Sequence, residues 1–338
     1  MNTGIKGPKT LIEAVEYFSN PDNAHAFMLT IRWPGGEVCC PNCGSVRVRY
    51  IQTRRQWECR ESHPKKRFSL KTGTIMEESP LPLKKWLACL WMEVNCKNSI
   101  SSYEIARDLG VTQKTGWFML HRIRFALKEG SFDKLGGNGA VVEADETGIG
   151  GKATNMHKDK RAAAIQGGGL STKTIVLGLL ERHGRHNPIS QVRTQVVPDV
   201  KRNTLHDVIH KNVEAGSHVV TDSWNAYREL HPDYIHGWVN HMERYVDGIV
   251  HTNGLENFWS LFKRCIKGTH VSVEPFHLAA YADSEAFRFN YRDVKDGDRF
   301  KLGMKGINGK RLTYKELTAN SLEARASSEN SGAESAPN

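Results

Sequence analysis

Apolar and polar positions change period several times along the chain, and each change predicts an element. Residues 10–19 carry the spacing of a short helix, followed by a segment punctuated by Pro and Gly. Residues 38–70 are rich in Cys, Arg and Lys, with short strand-like runs at "VRVRYI" and "RRQWEC". Residues 82–128 read as helices. After the Gly-rich "LGGNG" at 135–139 the pattern turns to strands, at "AVVEADETGIG", "TIVLGLLE", "ISQVRTQVV" and "SHVVTDS", with a helix pattern at 203–213 before the fourth. A long helix over about 275–290 closes this part. The last stretch, "TANSLEARASSENSGAESAPN", is small and polar and predicts disorder.

One amphipathic stretch carries more than a packing pattern. In "HTNGLENFWSLFKR" (251–264), Leu255, Phe258, Trp259 and Phe262 share a helical face that Cys265 and Ile266 extend. Asn253, Glu256, Ser260 and Lys263 follow at steps of three, four and three, within about 80° of one another on the opposite face. One side packs while the other presents an amide, a carboxylate and an ammonium in a row.

Composition narrows the partner. The chain has 338 residues, no run of eighteen apolar ones and no apolar signal core near its start, so a soluble, cytoplasmic protein with no membrane partner is expected. A formal charge of +10 points to a polyanion, above all nucleic acid. Seven cysteines are present and three crowd into "CCPNC", which in a reducing compartment indicates metal ligation rather than disulfides.

The cysteine spacing suits tetrahedral structural zinc. Cys40 and Cys43 form a CxxC knuckle, Cys59 follows on a short strand, and His63 completes C-x3-H in "CRESH". Cys39 is a neighbour able to replace Cys40. So small and basic a segment buries little core, and the metal would supply its folding free energy. Downstream, "NSISSYEIARDLGVTQKTGWFMLHRIRFAL" has the layout of a helix-turn-helix: Ser101 or Ser102 caps the first helix, Gly110 makes the turn and Thr112 caps the second. Gln113, Lys114 and Thr115 then stand where residues reach base edges, with His121, Arg122 and Arg124 available to phosphates. Gly116 inside the second helix is an expected weakness, costing roughly 1 kcal/mol against alanine.

In "VVEADETGIGGK" a period of two places Glu143 and Asp145 on one face of a strand and Glu146 on the other. Unpaired acids are costly in a core. "HVVTDSW" likewise ends an apolar strand in Asp222. Neighbouring strands ending in aspartates can hold divalent ions, and hard oxygen ligands favour Mg2+ or Mn2+. Glu143 has no evident task beyond supporting the other acids or pairing with Lys152.

Taken with Glu256 and Lys263, the order of residues resembles the RNase H-like DDE transposases and integrases. More closely, "CPNC", "FSLKTGTIMEESPLPLKKW", "SSYEIARDLGVTQKTGWFMLHRIR", "EADETGIGGK", "TDSWNAY" and "HTNGLENFWSLFKR" resemble the ISXO-type insertion-sequence transposases over about residues 10–292. The resemblance implies a multidomain α+β chain: an N-terminal helical segment (1–37), a zinc ribbon (38–75), a helix-turn-helix (76–130), an RNase H-like α/β catalytic domain with a mixed sheet (138–294), and an extension ending in a disordered tail (295–338). It implies that Asp145 and Asp222 are the first two catalytic acids, that Glu256 or Asn253 is the third residue, and that Lys263 contacts DNA. The implied activity is Mg2+- or Mn2+-dependent cleavage at terminal inverted repeats, then 3′-OH strand transfer into target DNA. The partners would be double-stranded DNA at element ends and target, and further copies of the chain, at least a dimer, in the synaptic complex of a prokaryotic nucleoid. The alternative is a non-enzymatic zinc-ribbon and helix-turn-helix regulator with a relic catalytic domain, and a nuclease that cuts without joining is a further one.

Overall fold

The computed structural model describes residues 7–128, 133–137, 139–150, 173–184, 188–222, 225–227, 230, 233–239 and 251–318. The tail from 319, expected to be disordered, and Lys152 lie outside them. The chain forms two compact units, one of Met1–Lys128 with Asp293–Asn338, the other of Glu129–Arg292.

The first unit opens with helix α1 (Leu11–Ser19) and helix α2 (Pro21–Arg32). The second falls where the sequence suggested a punctuated segment. Pro21 is at its first turn, and the Asn20 side chain accepts from the Asp22 N–H at 2.8 Å, so these residues start a helix instead of interrupting one. The ribbon follows as a three-stranded antiparallel sheet of β1 (Val48–Ile51), β2 (Gln56–Cys59) and β3 (Arg67–Phe68). Its knuckle is closed by Gly44 N–H to the Cys40 carbonyl at 2.8 Å, with Gly44 at φ +74°. The turn and β2 gather Cys40, Cys43, Cys59 and His63, whose donor atoms all lie within 4.8 Å of one another. Cys39 takes no part, because its sulfur accepts the Trp33 indole N–H at 3.2 Å. Beyond the donors the ribbon's packing is mainly aromatic: Trp57 stacks on Phe68 at 5.8 Å and meets Trp33 edge-on at 5.7 Å.

Three helices follow, α3 (Leu83–Asn95), α4 (Ser102–Leu109) and α5 (Gln113–Leu127). Ser101 and Glu104 form a reciprocal capping box on α4, Gly110 ends it at φ +57°, and Thr112 caps α5. Gly116 is a contact rather than a weakness. A Cβ there would approach the Ser102 carbonyl oxygen to 2.9 Å and Ile105 to 3.1 Å, so glycine lets α4 and α5 cross closely.

His121, Arg122 and Arg124 do not stand at the surface where the sequence suggests phosphate contacts. All three are buried. Arg124 pairs with Glu93 at 2.9 Å, the two side chains being 1% and 0% exposed, while Arg122 donates to the carbonyls of Glu77 (2.7 Å) and Leu312 (3.1 Å). Sequence alone makes basic residues on α5 look exposed, because it does not reveal which of its faces other elements cover. Arg124 is covered by α3 through Glu93, and Arg122 is covered in part by the extension. In helix α6 (Asp296–Lys305) of the extension, the ring of Phe300 packs at 5.0–5.7 Å from Trp91, Phe27 and Phe18. Lys310 then donates to the carbonyls of Phe125, Ala126 and Lys128 at the end of α5.

The second unit is a five-stranded mixed sheet of β4 (Val141–Ile149), β5 (Thr174–Glu181), β6 (Gln191–Val197), β7 (His218–Asp222) and β8 (Ile235–Val239), in the order β6-β5-β4-β7-β8. The first three pair antiparallel, and β7 and β8 run parallel to β4. Alternation divides the faces. Val142, Ala144, Ile175, Leu177 and Leu179 pack with Leu205, Val208 and Ile209 of helix α7 (Arg202–Asn212). On the other face Val176, Leu180 and Val192 pack with helix α8 (Asn253–Arg264) and helix α9 (Leu278–Asn290). Strand β8 has no strand signal in the sequence, since "IHGWV" is short and neither alternating nor uniformly apolar.

Zinc analysis of the purified protein is expected to return about one equivalent. Cys43→Ser should lower that to near zero and shift the emission of Trp33 and Trp57 toward the solvent-exposed wavelength. Arg124→Met should cost about 3–5 kcal/mol in denaturant unfolding by stranding the Glu93 carboxylate, with much of the loss recovered when Glu93→Gln is added.

Candidate functional site

On β4, odd-numbered residues face α8. This puts Glu143 and Asp145 under that helix and Glu146 on the α7 side. The parallel register runs from Val141↔His218 to Glu143↔Val220, and the same offset brings Asp145 level with Asp222, the last residue of β7. Pairing stops two residues short of the acids, so both carboxylates stand at the mouth between neighbouring strands.

Helix α8 supplies the other side. Its apolar stripe, Leu255, Phe258, Trp259 and Phe262, is buried against the sheet. The Trp259 indole N–H donates to Asp145 Oδ2 at 3.0 Å. This approach depends on Gly178, the residue paired with Asp145 on β5: a Cβ there would lie 2.6 Å from the Trp259 ring. Burial pushes the Asp145 carboxyl up to about 6, and the Asp222 and Glu256 charges push the same way against the Trp259 bond. Lys263 responds from the other direction. Burial lowers its ammonium, the Asp145 charge raises it, and Lys267 and Lys173 lower it. Asp145, Asp222, Glu256 and Lys263 therefore belong to one electrostatic cluster. Asn253 is exposed at the first position of the helix, with its backbone N–H on His251 Nδ1 at 3.4 Å.

Glu146 lies beside this cluster on the opposite face of β4. Burial pushes its carboxyl up to about 7, with Asp145 and Asp222 adding to the shift and a 2.5 Å bond from the Tyr227 hydroxyl opposing it. Tyr227 is itself raised well above the ordinary phenol value, first by burial and then by Glu146. Glu143 is almost fully buried and paired with Arg182 at 2.6 Å. Its partner was not legible, because 39 residues separate the two and nothing near Arg182 marks it. Trp259 read as core, and its indole N–H gave no signal in the sequence of where it would point.

Of the residues expected to read bases, Lys114 is exposed, with its ammonium 4.6 Å over the Tyr314 ring. Gln113 donates to the Ser102 hydroxyl at 2.9 Å, and Thr115 shares a 2.8 Å bond with Thr112. Among the described residues no helix is long and apolar enough to cross a membrane.

Residues 134–290 match the family model described as the ISXO2-like transposase domain, and residues 19–63 match the transposase zinc-ribbon domain. A protein of the transposable element ISH50 from Halobacterium salinarum is 26% identical over 279 residues, covering 79% of this chain and 90% of that protein. A transposase-like protein from Haemophilus influenzae is 30% identical over 106 residues, covering 31% of this chain and 85% of its own length. The matched domains, the ribbon's donor set and the second unit's acidic cluster agree, and the chain belongs to the ISXO2-like transposases.

Proposed function

We propose that this transposase binds the terminal inverted repeats of its insertion sequence, cuts at their ends and joins the freed 3′-OH to target DNA. The observation that carries the reading is the state of Asp145: half-buried, level with Asp222 and within reach of the Glu256 charge, its carboxylate is destabilised. A site that brings several carboxylates together at the end of neighbouring strands suits divalent metal. Hard carboxylate oxygens favour Mg2+ or Mn2+, and among the described residues the thiol and imidazole donors clustered for a metal are those of the ribbon. Asp145, Asp222 and Glu256 would hold the ions. Glu256 takes the third place ahead of Asn253, because its charge is felt at Asp145 while Asn253 lies one turn away at the exposed helix start. Bound divalent ions supply activation of the attacking oxygen and neutralisation of charge at the phosphorus.

The protein's own groups do the rest. Lys263, two turns along α8 from Glu256 and coupled to Asp145, contacts a phosphate next to the reacting centre. The Trp259 N–H holds Asp145 Oδ2 and so fixes the carboxylate against α8. In the first unit the ribbon and the start of α5, with Lys114 and Thr115, carry the DNA contacts. Synapsis of two element ends calls for at least two copies of the chain.

Labelled terminal-repeat DNA, a plasmid target and Mg2+ test the reading in one gel. Joined products are expected; nicking alone would make the protein a nuclease, and binding alone a regulator. Asp145→Asn should remove cutting and joining, by at least about a thousand-fold, while terminal-repeat binding stays within a few-fold.

The raised carboxyl also sets a pH dependence. Asp145 holds its proton more tightly folded (about 6) than unfolded (near 3.8), so the metal-free protein should lose stability as pH rises between those values. Asp145→Asn should remove that contribution and raise stability at pH 7 by roughly 1–3 kcal/mol. Mn2+ should raise the melting temperature of the parent protein and not of the variant, as calorimetry would report.

A further inference from the structure

Helix α8 has an unusual start. Its N-cap, Thr252, has φ −118° and ψ +22° and makes no side-chain cap bond, so the Leu255 N–H in the first turn needs another acceptor. That acceptor is Glu143. Its Oε2 takes the Leu255 N–H at 2.8 Å, and its Oε1 takes Arg182 Nε at 2.6 Å. Arg182 follows directly on β5, and its Nη2 lies 2.5 Å from the His251 carbonyl and 2.9 Å from His251 Nδ1. One carboxylate and one guanidinium thus join β4, the end of β5 and the entrance to α8.

The fit is close. A Cβ on Gly254 would come within 2.9 Å of Glu143 Oε2, so glycine at that position lets the carboxylate reach the helix end. Negative charge there is favoured by the helix dipole. Glu143 is 1% exposed and both of its oxygens are engaged by protein donors, which leaves it ill-placed to ligate an ion. It stands two residues before Asp145 on the same face of the same strand. Trp259, on Asp145, fixes the helix a turn further on, and Glu256 lies between the two fixed points.

We infer that Glu143 is a positioning residue which, held by Arg182, sets the entry of α8 so that Glu256 and Lys263 face Asp145. The inference rests on the proposed roles of Asp145 and Glu256. It gives Glu143 and Arg182 a task in transposition without contact with DNA.

The test uses the full chain carrying Glu143→Ala or Glu143→Gln. Hydrogen exchange over residues 251–262 of the metal-free protein reads the cap directly. Nicking of terminal-repeat DNA across a Mn2+ titration, well below the melting temperature, reads positioning. Glu143→Ala should speed exchange in the first turn of α8, raise the Mn2+ concentration for half-maximal nicking several-fold and lower the saturated rate by about a hundred-fold. Glu143→Gln keeps one acceptor for the Leu255 N–H and should fall between the two; if Glu143→Ala does not fold, it carries the test. A purely structural role would lower the melting temperature and leave the Mn2+ midpoint unchanged, and that result overturns the inference. So would parent-like exchange and nicking. If the parent protein itself does not nick, the proposed function fails first and the inference with it, whereas a parent that nicks beside unaltered variants sinks positioning alone.

Discussion

Like charges resist being gathered. Two carboxylates about 4 Å apart repel by roughly 4 kcal/mol at the effective dielectric of a partly buried site, and a third adds to that. In the second unit Asp145 and Asp222 come together because a parallel register brings two neighbouring strands to the same level, and Glu256 joins them because a helix is pressed on the sheet from one side. Hydrophobic burial along Leu255, Phe258, Trp259 and Phe262 provides the force that holds the helix down. Polar contacts decide its orientation: Glu143 at its start and the Trp259 indole on Asp145. The glycines at 178 and 254 belong to the same constraint, since each clears the space one of those contacts occupies.

The first unit solves a different problem. Its ribbon has a small aromatic core and three thiols with one imidazole gathered at a knuckle, so metal and rings together replace the apolar volume such a segment cannot bury. Its helices are fixed by buried ion pairing and by basic side chains that bond to carbonyls. Arg122, Arg124 and Lys310 spend their donors on the protein, which leaves fewer charges for DNA than the composition suggests.

Much of this was legible. The knuckle spacing gave the ribbon, the Ser101, Gly110 and Thr112 punctuation gave the paired helices, and alternation in "VVEADE" separated Asp145 from Glu146. Mixed strand pairing in the second unit matches the architecture implied by family resemblance. What could not be read has a common cause. Periodicity reports that a face is covered but not by what, and nothing in the sequence around Arg124 marks Glu93, 31 residues earlier, as its partner. Glu143 looked idle because its partners are a backbone N–H 112 residues away and an arginine 39 residues away. Asn20 and Pro21 are ambiguous in isolation, equally suited to break a chain or to begin a helix. Their role was settled by the apolar positions of α2 that pack behind them.

The extension that follows residue 292 has a bearing on how the protein is made. Phe300 completes a ring cluster with Phe18, Phe27 and Trp91, and a Cβ on Gly303 would touch Leu127, Val94 and Leu90. The N-terminal unit is therefore split in the polypeptide, with residues 129–292 threaded between its halves. On the ribosome those 164 intervening residues take about ten to thirty seconds to emerge. For that interval the ribbon and its helices wait without their closing helix, and a nascent chain released early would carry a complete second unit beside an unfinished first one.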